Sequence, residues 1–211
     1  ITGQTYGSIN SLKLNDKNYI LSTGTQNDAA SGALSKLYLI NNFTLSEQQT
    51  LSKRYYSTAA TADFDNDGDL DIVIGGSYTA DSVYLTDVYK WNGTEFINDQ
   101  NLTGLRDGSF SIGDINNDGL IDLIIAGFNT SDNFVKFYIN NGSRFVDRGN
   151  YSIMPINNGA TLEGQLSLFD YDNDGDLDLA TSGNSLATVY DNNVSLITSN
   201  SQPSAPTSFT D

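Results

Sequence analysis

The sequence predicts an all-β fold, a β-propeller-type array of four four-stranded antiparallel blades. Two landmarks recur in phase along the 211 residues, one acidic and one rich in asparagine. The stretches between them are dominated by Val, Ile, Tyr, Phe and Thr, and no helical period stands out. Units of about fifty residues built from short antiparallel strands point to propeller blades.

The acidic landmark is Asp63-Phe64-Asp65-Asn66-Asp67-Gly68-Asp69-Leu70-Asp71, five carboxylates in nine residues. It returns as Asp114-Ile115-Asn116-Asn117-Asp118-Gly119-Leu120-Ile121-Asp122 and as Asp170-Tyr171-Asp172-Asn173-Asp174-Gly175-Asp176-Leu177-Asp178. The starts at 63, 114 and 170 are 51 and 56 residues apart. An apolar stretch ending in glycine follows each copy: Ile72 to Gly75, Leu123 to Gly127, Leu179 to Gly183.

The second landmark is a hairpin turn rich in asparagine, at Asn41-Asn42, Asn92-Gly93, Asn141-Gly142 and Asn192-Asn193. Turns at 41, 92, 141 and 192 are spaced by 51, 49 and 51 residues. Asn-Gly and Asn-Asn tolerate the positive φ of two-residue hairpin turns. The units therefore number four, at about 1–46, 47–98, 99–147 and 148–198.

In the second unit one strand enters the acidic loop over Ser57 to Ala62 and one leaves it over Leu70 to Gly75. A third runs from Val83 to Trp91 into the asparagine turn, and a fourth follows over Thr94 to Asn98. The first unit lacks the acidic loop. Lys13-Leu14-Asn15-Asp16-Lys17-Asn18 stands in its place, and no ion is expected there. Residues 199–211 hold two of the three prolines and read as a linker or extended arm.

Composition narrows the chemistry. The formal charge is −16, and 23 of the 26 acids are Asp. Thirteen of these lie in the three loops, so the acidity is local. No basic footprint for nucleic acid exists. With no Cys and no His, disulfides, Cys/His zinc sites, Ser-His-Asp triads and Cys-His dyads are excluded. No apolar run approaches the roughly 20 residues of a membrane-spanning helix. The chain begins at Ile1, which fits a processed or partial product, so a missing leader says nothing about export.

Five like charges packed this closely repel one another unless a cation sits among the oxygens. Asp63, Asp65 and Asp67 fall at loop positions 1, 3 and 5, with Gly68 at position 6 for the sharp turn. Asp69 at position 7 offers its backbone carbonyl, and Asp71 at position 9 closes the shell. The first seven positions follow EF-hand logic, but Ile74 replaces the closing Glu at position 12, so the loop leads into a strand. By the same spacing the second site uses Asp114, Asn116, Asp118, Leu120 and Asp122, and the third uses Asp170, Asp172, Asp174, Asp176 and Asp178. Ca²⁺ is expected at all three, in a structural role. Mg²⁺ fits less well because it keeps waters and prefers stricter octahedral geometry. Asn116 removes one charge, so the second site is expected to be the weakest.

The run Ala62 to Gly76, with close copies at 113–127 and 169–183, resembles the FG-GAP/VCBS repeat family, known from integrin α-chain propellers and microbial surface proteins. Phe96 and Phe145 match that family's aromatic after the asparagine turn. The resemblance covers residues 1 to about 198 and implies a β-propeller, calcium and an extracellular binding or scaffold role. Family propellers usually have seven blades, whereas this chain has four units. A complete small ring, a fragment of a larger propeller and an open arc covered by neighbouring subunits all remain open. The Pro203-Ser204-Ala205-Pro206-Thr207 tail is similar to linkers that lead such arrays into fibronectin type III-like domains.

Seven Asn-x-Ser/Thr sequons occur, at Asn42, Asn92, Asn101, Asn129, Asn141, Asn150 and Asn193. Four of them sit at the hairpin turns. The expected function is a non-catalytic, calcium-stabilised extracellular scaffold or adhesion module that binds a protein or glycan. One alternative is a subunit of a surface filament, assembled with copies of itself through blade edges and the C-terminal arm. The other is a carbohydrate-active enzyme, disfavoured because Glu47, Glu95 and Glu163 have no recurrent setting and the aspartates are mostly committed to metal.

Overall fold

The computed structural model describes residues 6–25, 32–78, 83–129, 133–150, 165–183 and 186–192. Among these there is no helix. Fourteen strands follow in order: β1 Ile9–Leu14, β2 Lys17–Thr25, β3 Ala33–Asn41, β4 Thr44–Thr50, β5 Tyr55–Ala62, β6 Asp71–Ser77, β7 Tyr84–Trp91, β8 Phe96–Gly113, β9 Asp122–Phe128, β10 Asn133–Asn140, β11 Phe145–Asn150, β12 Gln165–Phe169, β13 Asp178–Gly183 and β14 Leu186–Tyr190. Sequential strands pair antiparallel as meanders. β5, β6 and β7 lie close to the strands expected over Ser57 to Ala62, Leu70 to Gly75 and Val83 to Trp91.

Among the described residues the hydrogen-bonded sheets number three, not four. They hold four, seven and three strands, each in simple sequence order. The seven-stranded sheet arises from β8, and the last strand expected in the fourth unit falls outside the described residues. A short strand ending near Asn98 is expected after the Asn92 turn, but β8 continues for 18 residues. Its first part pairs with β7 from Phe96 to Leu105, and its end is hydrogen-bonded in turn to β9. One strand thus closes one repeat and opens the next.

Two glycines make this possible. A Cβ on Gly104 would lie 1.9 Å from the Tyr84 carbonyl oxygen, and one on Gly108 would lie 2.0 Å from that of Ala126. The neighbouring backbones pass too close for any side chain. The described residues fall into two compact units, with β8 crossing from the first to the second between Asp107 and Gly108.

Each unit has its own core. The first gathers Leu12, Leu14, Leu21, Leu37, Ile72, Ile74, Tyr89, Trp91 and Phe96. The second gathers Ile115, Ile124, Ala126, Val135, Phe137 and Leu179. The strands leaving the first two acidic loops are the most deeply buried. Every residue of β6 is buried, as is all of β9 except Phe128. Strands covered on both faces read as continuous apolar runs, which is why no alternation marks them. Each fully buried Ile or Val contributes about 1.5–3 kcal/mol. The edge strand β4 is almost wholly exposed and polar.

The first unit also buries an ion pair. The Arg54 guanidinium donates to Asp87 Oδ2, and both residues are almost inaccessible. Arg54 Nη1 also donates to the Lys53 carbonyl at 2.7 Å. The Tyr89 hydroxyl donates to Ser52 Oγ at 2.6 Å and approaches Asp87 Oδ2 at 3.3 Å. A buried charge persists only with such partners.

Candidate metal centres

Each acidic loop wraps its own first carboxylate. In the first, Asp63 accepts the Asp67 N–H through Oδ1 at 3.1 Å and the Gly68 N–H through Oδ2 at 2.9 Å. The second repeats this, with Asp114 accepting from Asp118 at 3.0 Å and from Gly119 at 2.8 Å. In the third, Asp170 accepts from Gly175 at 3.2 Å. The fold-back needs positive φ at two positions. Asn66, Asn117 and Asn173 take values of 57°, 57° and 61°, and the glycines at 68, 119 and 175 take 95°, 86° and 96°. Asn and Gly carry the smallest penalty there.

Three carboxylates converge in two of the loops. Asp63, Asp65 and Asp71 each place an oxygen within 4.8 Å of the others, and so do Asp170, Asp172 and Asp174. Among the described residues the second loop brings no such trio together. There Asn116 donates through Nδ2 to Asp118 Oδ2 at 2.9 Å, so an amide occupies the place of a carboxylate.

The closing position, expected as a shell ligand, also clamps backbone. Asp71 is buried, and both its oxygens accept backbone N–H groups, from Phe64 at 3.2 Å and Trp91 at 2.9 Å. Asp122 does the same for Ile115 at 2.9 Å and Asn140 at 2.7 Å. Asp178 holds Tyr171 at 2.9 Å and Asn192 at 2.8 Å. In all three repeats this residue ties loop position 2 to the chain where it nears the asparagine turn. Only Asp71 of the three also belongs to a convergent trio.

Position 5 turns inward on the loop as well. Asp67, Asp118 and Asp174 each accept the N–H of position 7, that is Asp69, Leu120 and Asp176, at 2.9, 2.9 and 3.1 Å.

Electrostatics favour a cation. Burial pushes the Asp71 carboxyl up to about 6, with the charges of Asp65 and Asp67 adding to it and the two N–H donors opposing. Burial likewise raises Asp122 to about 6. Asp172 is raised by desolvation and then by Asp174. Two buried oxygens, Asp65 Oδ1 and Asp170 Oδ1, have no hydrogen-bond partner among the described residues. Partnerless buried carboxylate oxygens in the two convergent loops are what a bound hard cation would satisfy, so the residues fit Ca²⁺. Lys90 offsets part of the charge in the first loop, 3.4 Å from Asp65.

A family model described as FG-GAP-like repeat matches residues 63–125 and again residues 114–181. The chain belongs to the FG-GAP-like repeat family. Its matched repeats contain all three acidic loops, up to and including Asp178. No curated protein matches the sequence. Among solved structures, the crystal structure of an exotype rhamnogalacturonan lyase is similar over 86% of this chain, with a TM-score of 0.52 and 14% identity. At that identity the likeness concerns the fold alone. The FG-GAP-like chain spans 38% of that lyase chain.

The sequons are spread over different settings. Asn92 Oδ1 accepts from Thr94 N, Thr94 Oγ1 and Glu95 N, each at 2.9 Å. Asn141 does the same for Ser143 and Arg144. Asn42 sits exposed in its turn, Asn101 is exposed within β8, and Asn129 is half-buried. The side chain of Asn150, and all of Asn193 and the arm at 199–211, lie outside the described residues. The Asp71, Asp122 and Asp178 clamp was missed in the sequence. Its signal is an Asp that opens a wholly apolar run, where a carboxylate needs buried donors.

Proposed function

We propose that the chain is a calcium-stabilised extracellular scaffold or adhesion module that presents a surface to a protein or glycan and catalyses nothing itself. One observation carries this reading. Convergent carboxylates, with buried oxygens that lack a partner among the described residues, recur in the acidic loops of two repeats, under strands that form the core. A recurrent site that pins a turn is a staple, whereas a catalytic centre needs a single asymmetric constellation.

The four sequence repeats are read as blades of a propeller-type array, with β8 serving as the last strand of one blade and the first of the next. Calcium suits flexible, carboxylate-rich loops with a backbone ligand. Each ion would be held by loop positions 1, 3 and 5, with the closing Asp of the first loop near enough to contribute. Family membership supports an extracellular setting, and no helix among the described residues is long and apolar enough to cross a membrane.

The glutamates available for catalysis are otherwise engaged or unframed. Glu47 is exposed and bound to Lys36 and to the Thr50 hydroxyl. Glu95 lies in an exposed turn, and Glu163 is outside the described residues. Thermal melting in calcium and in excess chelator tests the proposal. The reading expects a drop on chelation that added calcium restores and magnesium does not. An unchanged melting temperature would remove the structural role of the loops.

A filament subunit is the second reading, favoured by the exposed strand β4 at the edge of its sheet.

A further inference from the structure

The β3–β4 hairpin departs from its counterparts. Its turn is Asn42-Phe43, and both residues have positive φ, 45° and 63°. In the sequons at Asn92 and Asn141 the residue after the asparagine is a glycine, at 93° and 84°. A bulky aromatic in the left-handed region is strained, and such strain persists only where something compensates for it. Phe43 is also fully exposed. Beside it, Ile40 and Leu45 face each other across the hairpin and are more exposed than most apolar residues here. Water therefore meets a small apolar patch at the tip of a polar hairpin.

The same turn carries the sequon Asn42-Phe43-Thr44. The Asn42 side chain is exposed and has no hydrogen-bond partner among the described residues, unlike Asn92 and Asn141. Thr44 Oγ1 donates instead to the Asn41 carbonyl.

We propose that Asn42 carries an N-linked glycan whose first sugar lies on the Phe43 ring and shields Ile40 and Leu45. Sugar C–H groups pack on the negative face of an aromatic ring, and the covalent tether holds the sugar over the patch. Transfer breaks the bond between the anomeric carbon and the pyrophosphate of a lipid-linked oligosaccharide donor. It forms a bond from that carbon to Asn42 Nδ2, and one amide proton leaves along with the lipid pyrophosphate. The proposal rests on the extracellular reading, since the donor and its transferase act on exported chains.

The test exports the full chain from a glycosylating eukaryotic cell line, so occupancy is read independently of native location. Calcium dependence of melting on the same material reports separately on the scaffold reading. Peptide mapping after enzymatic deglycosylation in ¹⁸O water should mark Asn42, and both Asn42→Gln and Thr44→Ala should abolish the mark. Deglycosylation should lower the melting temperature, and Phe43→Gly should cancel that drop while leaving Asn42 occupied. Asn42 unmodified in secreted chain overturns the proposal, as does a drop that survives Phe43→Gly. Concentration-dependent dimers of the unglycosylated chain that Phe43→Gly dissolves would assign the patch to a second copy and overturn it equally.

Discussion

Asp71 fixes Trp91: its Oδ1 accepts the Trp91 backbone N–H at 2.9 Å while its Oδ2 holds Phe64 at 3.2 Å. One buried carboxylate thereby joins the acidic loop to the last residue of β7. Removing it strands two buried N–H groups. Asp71→Ala should cost about 3 kcal/mol in urea denaturation, since each charged hydrogen bond is worth about 1.5–3 kcal/mol. Asp67→Ala, on an exposed loop position, should cost under about 1 kcal/mol when both are measured in chelator. Equal costs would mean that Asp71 is only another loop carboxylate.

The second loop gives a sign reversal. Asn116 donates to Asp118 without a cation, so Asn116→Asp replaces a hydrogen bond by repulsion between carboxylates. In chelator the variant should melt lower than the parent. In millimolar calcium it should melt higher, with affinity at that site raised roughly tenfold by the added charge. A variant that melts lower in both conditions speaks against an ion at this loop.

Arg54 and Asp87 are both almost wholly buried. Asp87→Ala leaves an uncompensated guanidinium and should cost about 3–5 kcal/mol, whereas Arg54→Met with Asp87→Leu should recover most of it. Denaturant midpoints for the single and double variants read this directly. A double variant no better than the single one would show that the pair is needed as such.

Glycines should divide into two classes. A Cβ at Gly68 meets nothing within 4 Å, so Gly68→Ala is opposed only by its φ of 95° and should cost about 1–2 kcal/mol. A Cβ at Gly104 would sit 1.9 Å from a backbone oxygen, so Gly104→Ala must part β7 from β8 and should cost well over 3 kcal/mol or prevent folding. Similar costs at both positions would argue against the continuous β8.

Much of this was legible in the residues because it repeats. The Asn and Gly of each acidic loop announce the left-handed turns, and the apolar runs behind them announce buried strands. The continuity of β8 was not legible, because nothing in the sequence shows that Gly104 and Gly108 mark close backbone approach. The pairing of Arg54 with Asp87 had no signal, since nothing in the spacing of 33 residues relates them and only the β5–β6–β7 meander brings them together. The closing aspartates were read as metal ligands because spacing shows which residues can reach a centre. It does not show that their oxygens also accept backbone N–H groups, as those of Asp71 do while it stays within the convergent trio.

Calorimetric titration of chelator-treated chain with calcium addresses the central claim most directly. The account predicts saturable binding of three ions, with two tight sites at the convergent carboxylates of the first and third loops and a weaker one at the second. Asp63→Ala and Asp170→Ala should each remove one tight site. No saturable binding, or binding that both variants leave intact, would contradict it.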